Sequence, residues 1–436
     1  MGGFKALLNM IYSHRLFTYF GHFILSAILC VQFLGSKLNS VYNILMGVGI
    51  GLAFISIVLG PTKNNLFKLK TLFLLSLIPI LYIVSACLHH DFDPDTLKNI
   101  NLKLYWIYFP FIFCFVKKGN SREEKILLYV YISAVLVFLI SQILPYVYEM
   151  YTNPAYEAFH FFNFGSTYNI QIPHHFMTII FTFGIIAILI LYEITSQRSL
   201  LFNFAILVLI LIILCSIYLT GARVGILTSS LVLTIYLVLK ITQGNKSIIL
   251  PAMVILVIFI SFGYYLYHSS DIIRYRVNET IKEIKYLANI NFDSSIEERG
   301  NFTVRIIDLI YYSDILYKNP IIGATGPSQT KYKLALDEIH KNKHSEGWVY
   351  KLIPANVWFR VAAQLGFPIA IMIFILIFVP LLTERGKKSI FLVMFLLVLF
   401  IFSNTEDSFD SRIPFYIIIT TYSFFLRINT SLLNNQ

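Results

Sequence analysis

Two arginines, Arg223 and Arg305, two adjacent histidines, His174 and His175, and an acidic pair, Glu406 and Asp407, are the side chains here whose types could share one chemistry. A guanidinium is planar, permanently charged and carries a fork of donors suited to phosphate oxygens. Two of them reaching one site could hold a diphosphate and stabilise the charge that develops as a sugar–diphosphate bond breaks. A histidine or carboxylate beside them could take the proton of an attacking hydroxyl. Each residue also has a plainer use. Arg223 could snorkel to an interface. His174 and His175 could be the polar start of a span, and Glu406, Asp407 and Asp410 a solvated loop. His340 and His344 stand among Lys341 and Lys343 and read as a solvated face. No element repeats a His/Cys/carboxylate spacing of the zinc kind, and no Walker loop is present.

The elements that must position these residues are apolar. Of 436 residues, 57% are hydrophobic and 13% charged, with a mean hydropathy of +0.72. Soluble domains keep about a quarter of their residues charged. An all-α polytopic membrane protein is therefore expected. About twelve spans are expected from runs near ~20 residues, at 16–34, 40–60, 69–88, 102–116, 126–147, 173–192, 200–220, 223–239, 248–267, 358–383, 389–403 and 413–427. The first run is too long for the core of a cleavable signal peptide. Cys30, Cys87, Cys114 and Cys215 all fall in apolar runs and read as small core residues. Arg223 falls between two spans, at the tip of a tight hairpin. An ionisable residue there is costly unless it meets water or a partner.

Lysines and arginines set the orientation. With the N-terminus inside, Lys63, Lys68 and Lys70, then Lys117, Lys118, Arg122 and Lys125, then Arg385, Lys387 and Lys388 fall in cytoplasmic segments. Both termini are then cytoplasmic. Residues 1–267 hold the first nine spans, 268–357 form one long extracytoplasmic loop, and 358–436 hold three spans and a cytoplasmic tail. A loop of that length inside a compact protein is usually functional. Within it, 271–287, 301–318 and 332–343 read as short helices, and Asn319-Pro320 stops the second. The net charge of +11, spread in this way, reflects topology and an anionic substrate rather than nucleic acid.

Four motifs in order resemble one family. Thr220-Gly221-Ala222-Arg223 before an apolar span resembles the "TGSR" element of the bacterial O-antigen ligase and polymerase superfamily. Arg305, followed by Asn319-Pro320 and then Gly323 and Gly326, resembles its arginine helix and "NPxxGxG" turn. The run from Asn356 to Gly366 resembles its "HNxxLxxLAELGIPG" element. Thr405-Glu406 through Arg412 resembles a "TESxLxxQ"-like element before the last span. Together they cover about residues 170–425.

The resemblance implies a GT-C-like integral glycosyltransferase of the bacterial cytoplasmic (inner) membrane. Its partners would be a glycan carried on undecaprenyl diphosphate, an acceptor glycan, membrane lipid and a chain-length regulator. No nucleotide sugar, metal or other cofactor is implied. Arg223 and Arg305 would hold the diphosphate. His174, His175 and Glu406 are the candidates for the catalytic base, and Asn356 and Arg412 are further site candidates. The ligase histidine falls at Ala355 and the ligase glutamate at Gln364. Alanine accepts no proton, which favours a repeat-unit polymerase over the ligase that transfers glycan to lipid A-core. A flippase of lipid-linked glycan is the third reading. It would call for charges at mid-membrane, and the spans carry almost none.

Overall fold

The computed structural model describes residues 10–33, 39–59, 65–152, 174–195, 199–243, 315–343, 356–382, 390–405 and 412–429, a few isolated positions excepted, together with single positions between 257 and 285 and Ser313. The described elements are α1 (Arg15–Val31), α2 (Asn39–Leu59), α3 (Asn65–Leu88), α4 (Pro94–Lys103), α5 (Tyr105–Phe115), α6 (Ser121–Thr152), α7 (His174–Ile194), α8 (Leu200–Leu219), α9 (Arg223–Thr242), α10 (Gln329–Lys343), α11 (Val357–Leu365), α12 (Phe367–Leu382), α13 (Ile390–Thr405) and α14 (Arg412–Ile428).

Among the described residues, six stretches are long and apolar enough to cross a membrane: Ser40–Leu59, Leu69–Leu88, Ser121–Gln142, Phe176–Ile194, Leu200–Tyr218 and Arg223–Thr242. Four shorter apolar helices accompany them: Arg15–Val31, Phe367–Leu381, Ile390–Asn404 and Pro414–Ile428. Backbone polar groups in hydrocarbon must be satisfied within their own segment, and a helix does this. The chain is a multi-pass membrane protein.

Two helices organise the bundle. α7 is the more central: 89% of its apolar window is buried, against 28% for those of α2 and α9. It packs on α6, α8, α9 and α13. α14 packs chiefly on α5, which also lies against α2 and α3. The α5–α14 seam is aromatic, with Trp106 edge-on to Tyr422 and Phe415. Tyr105 lies 4.6 Å from Tyr416, centroid to centroid.

One end of the bundle is tied by buried charge. Arg427, fully buried, reaches Glu124 with Nε at 2.9 Å and Nη2 at 2.6 Å. Its Nη1 donates to the carbonyls of Phe113 and Val116, each at 2.9 Å. His22 of α1 reaches the same carboxylate through Nε2 at 3.2 Å. Four elements, α1, α5, α6 and α14, thus meet on one ion cluster. At this end Lys125 also donates to the carbonyl of Ile194, and Lys240 of α9 pairs with Glu193 of α7 at 2.6 Å.

Two expected spans differ from the structure. The run 102–116 is the second half of a longer helix that starts at Pro94 and breaks at Leu104 into α4 and α5. Lys103, 1% exposed, is buried at the break, with Nζ 5.1 Å from the ring centroids of Tyr82 and Phe415. The run 358–383 is two helices, α11 and α12, broken at Gly366 with φ +93°. The expected ninth span, 248–267, lies largely outside the described residues.

Candidate functional site

Four helix ends converge at the end of the bundle opposite the Arg427 cluster. The α8–α9 hairpin turns through Thr220–Ala222, so Arg223 is the first residue of α9. Thr220 closes the turn, its hydroxyl donating to the carbonyl of Ile217 at 2.7 Å. The α9 start sits tightly on the α7 start. A Cβ at Gly225 would lie 2.2 Å from the Cβ of Thr178. Phe176, on the same turn of α7, meets Phe402 near the end of α13 at 4.9 Å.

The end of α13 holds the start of α11. Asn356 Oδ1 accepts from the N–H groups of Trp358 (2.9 Å) and Phe359 (3.1 Å), a helix N-cap. Its Nδ2 donates to Asn404 Oδ1 at 3.1 Å, and Trp358 Nε1 donates to Ser403 at 2.8 Å. Asn356 is thereby a capping and tethering residue, bonded to Asn404, which directly precedes Thr405-Glu406 in sequence.

The expected site residues fall as follows. Arg223 is partly buried at the α9 start. The N-cap, Ala222, supplies no side-chain bond to the first turn of α9. Such a turn presents backbone N–H groups and the positive end of the helix dipole, both favourable to an anion. His174 and His175 are the first two residues of α7, and Arg412 the first of α14; their side chains lie outside the described residues. Arg305 and Glu406 lie outside them altogether. The structure brings together the starts of α7, α9 and α11 with the end of α13.

A second assembly adjoins α11. The turn Asn319–Ser328 is a backbone joint between three elements. Ala324 N–H donates to the Ala363 carbonyl (2.8 Å), Gly326 N–H to that of Gln364 (3.0 Å), and Phe367 N–H to that of Pro320 (2.8 Å). Gly323 and Gly366 both hold positive φ, and a Cβ on either would lie within 2.2 Å of a carbonyl oxygen. Glycine is required there for contact as well as for conformation. The turn also docks on the α3–α4 corner. Asn99 Nδ2 donates to the Pro327 carbonyl at 2.8 Å, and Thr330 N–H to Asp95 at 2.9 Å. Lys331 of α10 pairs with Asp91 at 2.9 Å.

Asp93 caps α4, accepting from Thr96 N–H at 2.7 Å. That bond, assisted by Lys331, holds its carboxyl below the usual carboxylate range. The corner escaped the sequence reading, although Asp93-Pro94, a cap followed by proline, is a helix-start signal. Arg360, 3% exposed, lies within α11. Among the described residues no group of three or more His, Cys, Asp or Glu is arranged to hold a metal ion.

An apolar groove of about 370 Å³ runs between α6 and α8, lined by Leu139, Ile140, Leu211, Ile212 and Ser216 among others. Ser216 stands one helical turn before Thr220, so the groove ends just short of the Arg223 hairpin.

Residues 206–374 match the model of the O-antigen ligase family. Over that stretch the chain is similar to the O-antigen ligase family. The matched stretch runs from within α8 to within α12 and includes Arg223, Arg305, the glycine turn and Asn356. His174, His175, Glu406 and Arg412 lie beyond it. A comparison with curated proteins finds no match.

Proposed function

We propose that this membrane protein is a glycosyltransferase that takes glycan from undecaprenyl diphosphate on the outer face of the cytoplasmic membrane and joins repeat units of a surface polysaccharide. The observation that carries the reading is the α9 start. A guanidinium stands at a helix N-terminus without a capping side chain, inside the stretch that matches the O-antigen ligase family, beside the start of α7. In this reading Arg223 and Arg305 bind the diphosphate. The acceptor hydroxyl attacks the anomeric carbon and the bond from that carbon to the diphosphate oxygen breaks. The electron pair leaves with the diphosphate, whose growing charge the arginines stabilise. His174, His175 or Glu406 takes the hydroxyl proton. The groove beside α8 has the apolar lining a polyprenyl chain needs.

Two positions favour polymerase over ligase. Ala355 stands where ligases carry histidine. Gln364, in place of their glutamate, is 2% exposed, and its side-chain Nε2 donates to the Ser328 carbonyl at the end of the glycine turn at 3.5 Å. The family description itself favours the second reading, transfer of finished glycan to lipid A-core. A gel of surface glycan from a null strain separates the two. A polymerase null leaves single repeats on the core. A ligase null leaves the core bare and polymer on its lipid carrier.

A further inference from the structure

His89, at the end of α3, faces two carbonyl oxygens. Its Nδ1 lies 2.8 Å from the Ser85 carbonyl, one turn back on its own helix. Its Nε2 lies 3.2 Å from the carbonyl of Gly323, in the glycine turn. A carbonyl only accepts. A neutral imidazole carries one N–H and one lone pair, whereas imidazolium carries two N–H groups. The neutral ring can therefore satisfy one carbonyl and must turn a lone pair toward the other. Only the protonated ring donates to both.

The contact is confined. A Cβ on Gly326, in the same turn, would come within 3.1–3.2 Å of His89 ring and Cβ atoms, so the turn lies flat against the side chain. Gly323 is also the residue pressed on the Gln364 carbonyl. The His89 contact is thus one link from α11, whose capped start belongs to the proposed site.

We propose that His89 is a positioning residue: as imidazolium it clamps the glycine turn to α3, and loss of that proton loosens the turn and slows glycan transfer. The transfer arm rests on the function proposed above; the clamp itself does not. Charged groups on the packed elements include Asp91, paired with Lys331 of α10; Asp93 and Asp95, which accept from Thr96, Ser328 and Thr330; exposed Lys98 and buried Lys103 of α4; exposed Lys333 and Glu338 of α10; and Arg360 of α11. The turn has no titratable side chain. Carboxylates, lysine and arginine ordinarily keep their charge between about pH 6 and pH 8, where histidine changes its own. The other histidine at this corner is exposed His90, which serves as the control.

The test is amide hydrogen exchange of the full-length protein in lipid nanodiscs, at about pH 6 and about pH 8, corrected for intrinsic rates. The reporters are Ala324 and Gly326, whose N–H groups bond to α11. Wild type should lose about tenfold protection on going to the higher pH, the weight of one lost hydrogen bond. His90→Gln should behave like wild type. His89→Gln, a neutral donor, should show the same protection at both values. Transfer from a lipid-linked donor should follow the same pattern. Wild-type protection that ignores pH, or pH-dependent protection that survives in His89→Gln, overturns the clamp. A pH-dependent turn with transfer unchanged overturns the positioning role. If no variant or wild type transfers glycan at all while the turn still responds to pH through His89, the clamp stands and the enzymatic reading falls.

Discussion

Replacing Gly366 by alanine should break the joint that holds α11, the glycine turn and α12 together. Its φ of +93° and ψ of 155° lie where side-chain-bearing residues almost never go, and forcing one there costs about 1–3 kcal/mol. The added Cβ would lie 2.0 Å from the Ile321 carbonyl oxygen, which belongs to backbone and cannot swing aside. Relief requires separating the strands of the joint. That weakens the bonds from Phe367 N–H to Pro320, Ala324 N–H to Ala363 and Gly326 N–H to Gln364, each worth about 1 kcal/mol net. The sum is about 3–6 kcal/mol. The assay is thermal unfolding of the full-length protein in detergent, with Gly51→Ala as the comparison. Gly51 sits within α2 and an added Cβ there meets nothing within 4 Å, so that change should be neutral or stabilise by up to about 1 kcal/mol. If Gly366→Ala and Gly51→Ala melt together at the wild-type temperature, the joint does not carry the load described.

Three further outcomes are expected. Glu124→Ala strands the buried Arg427 guanidinium without its carboxylate and should cost about 3–5 kcal/mol, read as a lowered melting temperature; an unchanged one contradicts the cluster's role. Gly225→Ala drives a Cβ into Thr178 and should lower transfer by displacing the Arg223 turn, with Thr178→Gly restoring it; absence of rescue would mean the two helices do not meet there. Asp93→Ala should cost about 1 kcal/mol at neutral pH through loss of the α4 cap. Because the Asp93 carboxyl titrates below its unfolded value, the cap is whole above about pH 4 and fades as pH falls through the folded value. Wild type and variant should therefore converge only in acid, and convergence at neutral pH would refute the cap.

The hairpin was legible because twenty apolar residues have one structural solution in hydrocarbon. Leu200–Leu219 and Arg223–Thr242 follow the expected spans to within a few residues. Runs with a polar or glycine interruption were not. Hydropathy alone reads through Leu104 and Gly366; the chain breaks at Gly366 through its positive φ, whereas Leu104 keeps helical angles and carries no side-chain cap. Asn356 was legible as a motif but not as a cap, since its partners Asn404 and Ser403 come from another helix. The His89–Gly323 contact joins residues far apart in sequence, and no local pattern announces such pairs. Asn319-Pro320 did mark the turn, but its docking surface on the α3–α4 corner depends on tertiary packing.

The central claim is that the Arg223 guanidinium holds a diphosphate while its sugar departs. The direct measurement is glycan transfer from a purified undecaprenyl-diphosphate-linked donor by reconstituted wild type, Arg223→Lys and Arg223→Ala proteins that insert equally well. Loss of one such donor should slow transfer about 10²–10³-fold in Arg223→Ala, with Arg223→Lys intermediate because a point charge replaces the fork. Transfer by Arg223→Ala at the wild-type rate would contradict the account.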